Sequence, residues 1–232
     1  MLDLAVVIPV YNEQEIIGEV VKDWNAALNP LLISYSINLY NDGSKDNTLE
    51  TLRYVQSQYP YINIVNKPNS GHGPTILKGY LDHLDAIWIF QVDSDNEISA
   101  KHFVQFWNAR SDCDFIIGDR RERNVALSRK LITFLSGLVV QLCYGKGIKD
   151  VNCPYRLMRV EKLRGVIKKI PHDTFAPNVI ISGVAAREKW DVRIIEIPVQ
   201  KRLTGEVSIK RLKLLKAVIR SFYQTVDYAF RK

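Results

Sequence analysis

The sequence predicts an α/β fold with a mainly parallel sheet and helices on both faces. Short apolar runs that suit buried strands alternate with segments whose apolar residues recur at the helical period. This alternation is typical of parallel sheets covered on both sides. Polar residues also gather directly after each of the first four predicted strands. Ligands bind at the carboxyl ends of the strands in such sheets, so this convergence predicts a binding site there.

The predicted strands are five short apolar runs. Strands that are buried on both faces are nearly continuous in their apolar residues, and each of these runs has that character. The runs are 4–10, 35–41, 62–66, 86–92 and 114–118.

Three amphipathic segments separate the first four strands and are predicted to be helices. In the first segment, the apolar residues from Ile16 to Trp24 fall on one face of a helix. Pro74 suits a first helical turn, where its missing N–H would have no partner in any case. The predicted helices are 13–28, 47–59 and 74–84.

The pattern changes after residue 118. Several arginines, among them Arg120 and Arg129, precede the uncharged run 131–144. A helix needs roughly 20 apolar residues to span a bilayer, so this run is too short to do so. It is predicted to be either a buried core helix or a helix at a membrane interface.

The net charge of +7 lies entirely in the C-terminal segment. Residues 201–232 contain nine Lys and Arg against two acids, so residues 1–200 are neutral in sum. We therefore predict one domain over 1–200 and a basic amphipathic helical appendage over 201–232. Basic amphipathic helices bind anionic membrane surfaces. The alternative is that this helix packs its apolar side onto the sheet and exposes its lysines to water.

The overall composition is that of an ordinary soluble globular protein, with 47% hydrophobic and 25% charged residues. Three cysteines without a CxxC pair argue for a reducing compartment and against structural zinc or a disulfide framework. Asp3 and Glu13 interrupt any resemblance to a signal peptide, so we expect a cytoplasmic protein. Because their spacing suggests no metal site, four histidines are predicted to be ordinary surface or loop residues: His72, His83, His102 and His172.

The segment DSDNE at 93–97 places acids at every second position after an apolar strand. Asp93 and Asp95 therefore reach the same side, with Ser94 pointing away. Clustered carboxylates repel one another unless a cation or a basic partner lies among them. Oxygen ligands without Cys or His suit Mg²⁺ or Mn²⁺. The alternative is that these acids only mark the start of a helix, whose dipole favours negative charge.

Five blocks of the sequence resemble, in order, the signature blocks of family 2 glycosyltransferases. They are VVIPVYNE, NDGSKDNT, NKPNSGHGPTILKGY, QVDSDNE and DVNCPYRLMR, and they extend over most of the chain. Within that family the chain is similar to the polyprenyl-phosphate sugar synthases of the dolichyl-phosphate mannose synthase type. The resemblance implies a GT-A fold with a Rossmann-like sheet over 1–200. It also implies an enzyme that takes its sugar from a UDP- or GDP-sugar.

The resemblance also implies roles for matched residues. Asp93 and Asp95 match the DxD motif that holds the metal, and Glu97 stands where a further ligand can sit. Asp42 would contact the nucleotide base, although Asn41 replaces the first acid of the usual block. The positions expected to bind the nucleotide sugar are Pro9, Tyr11, Asn12, Glu13, Asp42, Gly71, Gly73, Asp93, Ser94 and Arg202.

Two arginines and one acid are implied to act on the acceptor. Arg120 and Arg129 resemble arginines that meet the acceptor phosphate in lipid-phosphate transferases, because a guanidinium matches two phosphate oxygens. The alternative for both is a solvated basic loop. Asp150 would orient the site if the acceptor is a lipid phosphate, and would act as a base if it is a sugar hydroxyl.

We therefore predict inverting, metal-dependent transfer of a sugar to undecaprenyl or dolichyl phosphate on the cytoplasmic face of the membrane. The alternative acceptor is a saccharide hydroxyl in polysaccharide or glycan synthesis. A non-catalytic module that binds nucleic acid is disfavoured, because acids at the strand ends would repel phosphates. The basic tail leaves open whether a membrane protein partner is required.

Overall fold

One sheet forms the centre of the computed structural model, which describes residues 1–121, 137–145, 150–200 and 211–231. For residue 121 and residues 211–218 it describes the backbone only. Within these ranges the sheet has seven strands. They are β1 (Leu4–Val10), β2 (Tyr35–Asp42), β3 (Ile62–Lys67), β4 (Trp88–Gln91), β5 (Phe115–Arg121), β6 (Arg156–Arg159) and β7 (Val192–Pro198).

The spatial order of the strands is β3-β2-β1-β4-β6-β5-β7. Strand β6 runs antiparallel to its neighbours β4 and β5, whereas the other described pairings are parallel. The mainly parallel α/β fold predicted from the sequence is confirmed.

Helices connect the strands in the described part of the chain. They are α1 (Ile17–Leu28), α2 (Thr48–Gln58), α3 (His72–Asp82), α4 (Phe103–Asn108), α5 (137–144), α6 (Val160–Ile167), α7 (Pro177–Arg187) and α8 (Arg211–Phe230). Short 3₁₀ turns occupy Asn29–Leu31, Ala100–His102 and Ala109–Asp112.

Two consecutive side chains of β4 show that helices cover both faces of the sheet. The ring of Phe90 lies 5.2 Å from the ring of Trp24 in α1. The next side chain, Gln91, bonds instead to Asn178 in α7. Successive strand residues point to opposite faces, so α1 and α7 lie on opposite sides. The core consists of apolar side chains on both of these faces.

The antiparallel direction of β6 determines which loop reaches the carboxyl edge of the sheet. Arg156, the first residue of β6, lies opposite Gln91 of β4 and Ile117 of β5 in the strand register. The segment 150–155 precedes β6, so it lies beside the points where β4 and β5 end. Asp150 thereby reaches the edge at which polar residues were predicted to converge.

The predicted elements are confirmed with shifted ends in the first half of the chain. Helix α1 begins at Ile17 and not at residue 13, and α3 begins at His72, two residues before Pro74. Strand β4 is shorter than predicted and β5 extends to Arg121. The sequence interpretation did not include α4, α6, α7, β6 or β7.

The C-terminal helix α8 packs on the domain along one face of its described side chains, 219–230. Thr225 and Tyr228 are buried, and the Tyr144 hydroxyl of α5 donates to the Thr225 carbonyl at 2.8 Å. On another face, four large apolar side chains are exposed: Ile219, Phe222, Tyr223 and Phe230. This helix therefore packs on the domain and also exposes apolar surface, and its attachment to a membrane stays a prediction.

The uncharged run 131–144 is described only from residue 137, and that part is helical. Val140 and Tyr144 are buried, whereas Leu138 and Leu142 are exposed. This segment is therefore amphipathic. Among the described helices, none combines the length and the apolar character that crossing a membrane requires.

Candidate active site

Two loops that follow β1 and β2 are fastened to each other. Asn12 has a left-handed backbone, with φ of 54°, and its side-chain oxygen accepts the Lys45 N–H at 2.8 Å. The Asn12 N–H donates to the Ser44 hydroxyl at 2.9 Å, and the Glu13 N–H donates to the Thr48 hydroxyl at 2.9 Å. The structure thus places Asn12 and Glu13, together with Pro9 and Tyr11 before them, at the carboxyl edge of the sheet.

Asp42 is buried at the end of β2 and holds the loop that follows β3. Its carboxylate pairs with Lys67 and accepts the N–H groups of Ser70 at 2.8 Å and Gly71 at 2.9 Å. Burial alone would raise the pKa of Asp42, but the hydrogen bonds from Lys67 and Ser70 outweigh it, so the pKa is lowered. These contacts assign Asp42 a structural role in the loop, and its contact with a nucleotide base stays a prediction.

Gly71 and Gly73 are required by the backbone at the start of α3. Gly71 has a φ of 95°, a conformation that side chains of L-residues rarely adopt. A Cβ atom at Gly73 would lie 2.1 Å from the Phe175 carbonyl oxygen, so no side chain fits there. Both residues lie beside the predicted nucleotide site, and each also has a reason in local packing or geometry.

Asp93 is held from two sides through a single oxygen. Its Oδ1 accepts the Gln91 Nε2–H at 3.0 Å and lies 2.9 Å from His72 Nε2. Because a carboxylate can only accept, the Nε2 atom of His72 carries the proton. Enclosure of Asp93 would raise its pKa, but the charge and hydrogen bond of His72 outweigh this effect and the pKa is lowered.

The contact between His72 and Asp93 was not predicted from the sequence, in which His72 was interpreted as an ordinary surface or loop residue. Its side chain is 55% exposed, and it faces the acids after β4. Enclosure lowers the pKa of His72, but the charges of Asp93, Asp95 and Asp42 raise it more, so the net shift is upward. The available signal was its position after the third strand, at the edge where the other polar loops converge.

Asp95 and Glu97 lie in a tight turn after β4. The Glu97 N–H donates to Asp95 Oδ1 at 3.1 Å, and Asn96 between them has a left-handed backbone. Ser94 is buried, and its contact with the nucleotide sugar stays a prediction. Among the described residues, no group of three or more His, Cys, Asp and Glu side chains could hold a metal ion by itself.

Arg120 and Asp150 form a bidentate ion pair at the same edge. Arg120 Nε donates to Asp150 Oδ2 at 2.7 Å, and Arg120 Nη2 donates to Asp150 Oδ1 at 3.0 Å. The two side chains are only 16% and 10% exposed. The structure therefore joins two residues that the sequence interpretation treated separately. Arg129 and Arg202 lie outside the described residues.

Comparison with known proteins gives a family and two kinds of relatives. The model of "Glycosyl transferase family 2" matches residues 5–167. Undecaprenyl-phosphate 4-deoxy-4-formamido-L-arabinose transferases from Edwardsiella ictaluri and Salmonella enteritidis are 28% and 30% identical over 218 residues. Each alignment covers 91% of this chain and 64% of the relative, so the chain spans about two thirds of the relatives' length.

Solved structures agree in fold. Glucosyl-3-phosphoglycerate synthase from Mycobacterium tuberculosis, in complex with Mn²⁺, uridine diphosphate and phosphoglyceric acid, superposes with a TM-score of 0.71 at 12% identity. The match covers 100% of this chain and 80% of that chain. A second complex of that enzyme, with Mn²⁺ and UDP-glucose, gives a TM-score of 0.68 at 14% identity. The fold is GT-A, and the family match over 5–167 shows that this chain belongs to glycosyltransferase family 2.

Proposed function

We propose that this chain transfers a sugar from a nucleotide sugar to a polyprenyl phosphate on the cytoplasmic surface of a membrane. The observation that carries the proposal is the convergence at one sheet edge of the Asp93 and Asp95 carboxylates with the paired Arg120 and Asp150. Family membership supports the sugar transfer. The names of the undecaprenyl-phosphate transferases support the class of acceptor.

The acids after β4 fit a divalent cation that binds together with its substrate. Mg²⁺ and Mn²⁺ prefer oxygen ligands, and Mg²⁺ is usually held by one or two carboxylates plus substrate phosphates. Asp93 and Asp95 would supply such carboxylates, and Glu97 is a further candidate. Both hydrogen bonds to Asp93 are made to Oδ1, so Oδ2 receives neither of them. When bound, the cation would neutralise charge on the departing diphosphate.

The Arg120–Asp150 pair favours a phosphate acceptor over a hydroxyl acceptor. A hydroxyl must lose its proton to a base, whereas a phosphate is already anionic and needs none. Both oxygens of Asp150 accept hydrogen bonds from Arg120, so this carboxylate is engaged as an ion-pair partner. Arg120 is in turn oriented by Asp150, and a guanidinium oriented in this way matches phosphate oxygens.

The proposed chemical step is a single displacement. An oxygen of the acceptor phosphate attacks the anomeric carbon from the side opposite the diphosphate. The new carbon–oxygen bond forms as the bond to the diphosphate breaks, which inverts the anomeric configuration. The residues of this chain orient the two substrates, and the anionic acceptor has no proton that must be transferred to the protein.

The test of the function is sugar transfer from a panel of UDP- and GDP-sugars, with and without undecaprenyl or dolichyl phosphate. We expect transfer to depend on the polyprenyl phosphate and on Mg²⁺ or Mn²⁺. Transfer to saccharides that is equally fast without the lipid would instead establish the alternative acceptor.

Arg120→Ala is expected to impair use of the acceptor far more than binding of the donor. Loss of a charge-assisted hydrogen-bond pair to phosphate predicts a KM for polyprenyl phosphate that is roughly ten-fold or more higher. Donor affinity, measured by calorimetry with the nucleotide sugar, should change less than about two-fold, because the pair lies beside the DxD acids and not among them.

Arg120→Lys and Asp150→Asn are the matched variants for that experiment. Lysine keeps the charge but loses the fork, so it should restore little acceptor use. Asp150→Asn keeps the shape of the acid and should lower acceptor use by loosening Arg120. Equal losses of donor and acceptor binding in Arg120→Ala would assign this arginine to the general integrity of the site.

The exposed face of α8 supports the membrane part of the proposal. Ile219, Tyr223 and Phe230 recur at helical spacing and, with Phe222, form an apolar stripe that the described part of the domain leaves uncovered. The same helix and the residue before it carry Lys210, Arg211, Lys213 and Lys216 in the sequence. Each basic residue near an anionic bilayer contributes about 1 kcal/mol, so the segment combines both means of attachment.

Binding to vesicles is expected to require both the apolar stripe and the basic residues. Tyr223→Ser should weaken co-sedimentation with anionic vesicles, whereas Tyr54→Ser on α2 should not, although both side chains are 69% exposed. Added salt and neutral substitutes at Lys210, Arg211, Lys213 and Lys216 should also weaken binding. Binding that responds to neither change would show that α8 only packs on the domain.

A further inference from the structure

Behind Asp93, three polar side chains form a continuous chain of hydrogen bonds inside the protein. The Tyr80 hydroxyl donates to Asn178 Oδ1 at 2.8 Å. Asn178 Nδ2 donates to Gln91 Oε1 at 2.9 Å, and Gln91 Nε2 donates to Asp93 Oδ1 at 3.0 Å. Tyr80, Asn178 and Gln91 are all buried, so water does not provide alternative partners for them. The chain links α3, α7 and the end of β4 to the carboxylate.

The direction of every bond in this chain follows from Asp93. A carboxylate only accepts, so Gln91 must present its NH₂ group to Asp93 and its oxygen to the interior. Asn178 must then donate to that oxygen, which turns its own oxygen towards Tyr80. Tyr80 must donate in turn. All three donor groups therefore point along the series towards Asp93. The amides of Gln91 and Asn178 can each adopt only one orientation that makes these hydrogen bonds.

Arg156 anchors the backbone of Asn178, the middle residue of this hydrogen-bonded series. Its guanidinium is fully buried and donates to the Asn178 carbonyl at 3.1 Å. It also donates to the carbonyls of Val151 at 3.1 Å and Cys153 at 2.7 Å. These bonds join the first turn of α7 to the loop that begins at Asp150. The buried Arg156 side chain thus connects Asn178, which supports Asp93 through Gln91, with the loop that presents Asp150 to Arg120.

We propose that Gln91, Asn178 and Tyr80 are positioning residues, which hold the Asp93 carboxylate in the orientation needed to bind a divalent cation. This inference rests on the proposed function, because it presumes that Asp93 takes part in cation binding. Buried polar groups stabilise a fold less than apolar groups of the same size unless all of them are bonded. A buried series of bonded side chains that ends on one functional carboxylate fixes that carboxylate through a shell of supporting residues.

The test is Mn²⁺ binding, measured by electron paramagnetic resonance in the presence of UDP or GDP. Gln91→Met keeps the length of the side chain but removes the donor to Asp93. It should weaken Mn²⁺ binding roughly ten-fold, the usual effect of losing a hydrogen bond to a charged group. Tyr80→Phe removes only a hydroxyl that contacts the two amides and not Asp93 itself, so it should weaken Mn²⁺ binding roughly two- to three-fold.

Two controls separate positioning from stability. Tyr228→Phe removes another hydroxyl, which donates to the Val166 carbonyl away from the site. Asn38→Leu removes a buried amide of β2 that bonds to Val6 and Ser36. Both controls should lower the unfolding temperature and leave Mn²⁺ affinity unchanged, whereas the network variants should change both quantities.

Two results would overturn the proposal, and they can be told apart. The first result is that the wild-type protein binds Mn²⁺ and nucleotide, and that Gln91→Met and Tyr80→Phe bind Mn²⁺ equally well. The hydrogen-bonded residues behind Asp93 would then have only a structural role, and the proposed function would stand. If the wild-type protein binds no Mn²⁺ with either nucleotide, Asp93 has no cation to be positioned for. In that case both this inference and the cation-dependent function fail.

Discussion

Asp93→Asn and Asp95→Asn are each expected to lower sugar transfer about 1,000-fold or more, because loss of the cation removes several kcal/mol of transition-state stabilisation. Asparagine has nearly the same shape as aspartate and keeps an oxygen that can accept the hydrogen bonds of Gln91 and His72, and Asp93 lies after β4, outside the apolar core. The unfolding temperature should therefore change little. Transfer assays and thermal unfolding of the same preparations measure the two quantities.

Asp82→Asn is a suitable control for these variants. Asp82 pairs with Lys78 one helical turn away on α3, and surface pairs of this kind contribute little to stability. Its carboxylate also accepts the Tyr40 hydroxyl at 3.0 Å, and the amide oxygen of asparagine can accept the same bond. Its activity should match that of the wild-type protein. EDTA should abolish transfer in the wild-type protein, and added Mn²⁺ should restore it. Full activity in either DxD variant, or activity that EDTA leaves unchanged, would contradict the assignment of the cation to these acids.

The first half of the fold was predictable because β1, β2 and β4 are buried on both faces and the predicted strands read as apolar runs, although β3 is partly exposed. β6 has only four residues, of which Arg156 and Arg159 are two, so its composition hides it. β7 pairs only with β5 in the described sheet and leaves several side chains exposed, so its apolar pattern is weak. These strands are specified by neighbours distant in the sequence, which a local pattern does not contain.

The same reasoning separates the predicted from the unpredicted parts of the site. The convergence of polar residues at the strand ends follows from the parallel topology, so Asp42, Gly71 and Asp93 could be placed at one edge. The pairing of Arg120 with Asp150 could not be predicted, because Asp150 reaches that edge only through the antiparallel β6. Gln91 and Asn178 are 87 positions apart, and only the packing of α7 on the sheet joins them.

Gly73→Ala is expected to destabilise the protein by about 3 kcal/mol or more, at the upper end of the usual effects of overpacking. The new Cβ would lie 2.1 Å from the Phe175 carbonyl oxygen and 2.4 Å from that of Thr174. Both are backbone atoms, so relief requires α3 to move away from the segment before α7. For a chain of this size the unfolding temperature should fall by roughly 6–12 °C.

Gly165→Ala is the matched control, because nothing lies within 4 Å of a Cβ at this exposed position in α6. Alanine is the better helix former, so this variant should be more stable by roughly 0.5–1 kcal/mol. The comparison also tests the predicted place of Gly73 beside the nucleotide. A Gly73→Ala protein with normal unfolding but impaired UDP or GDP binding would show that the nucleotide, and not the Thr174–Phe175 backbone, requires glycine there. Lowered stability with normal nucleotide affinity in the protein that remains folded would assign the requirement to the packing of α3.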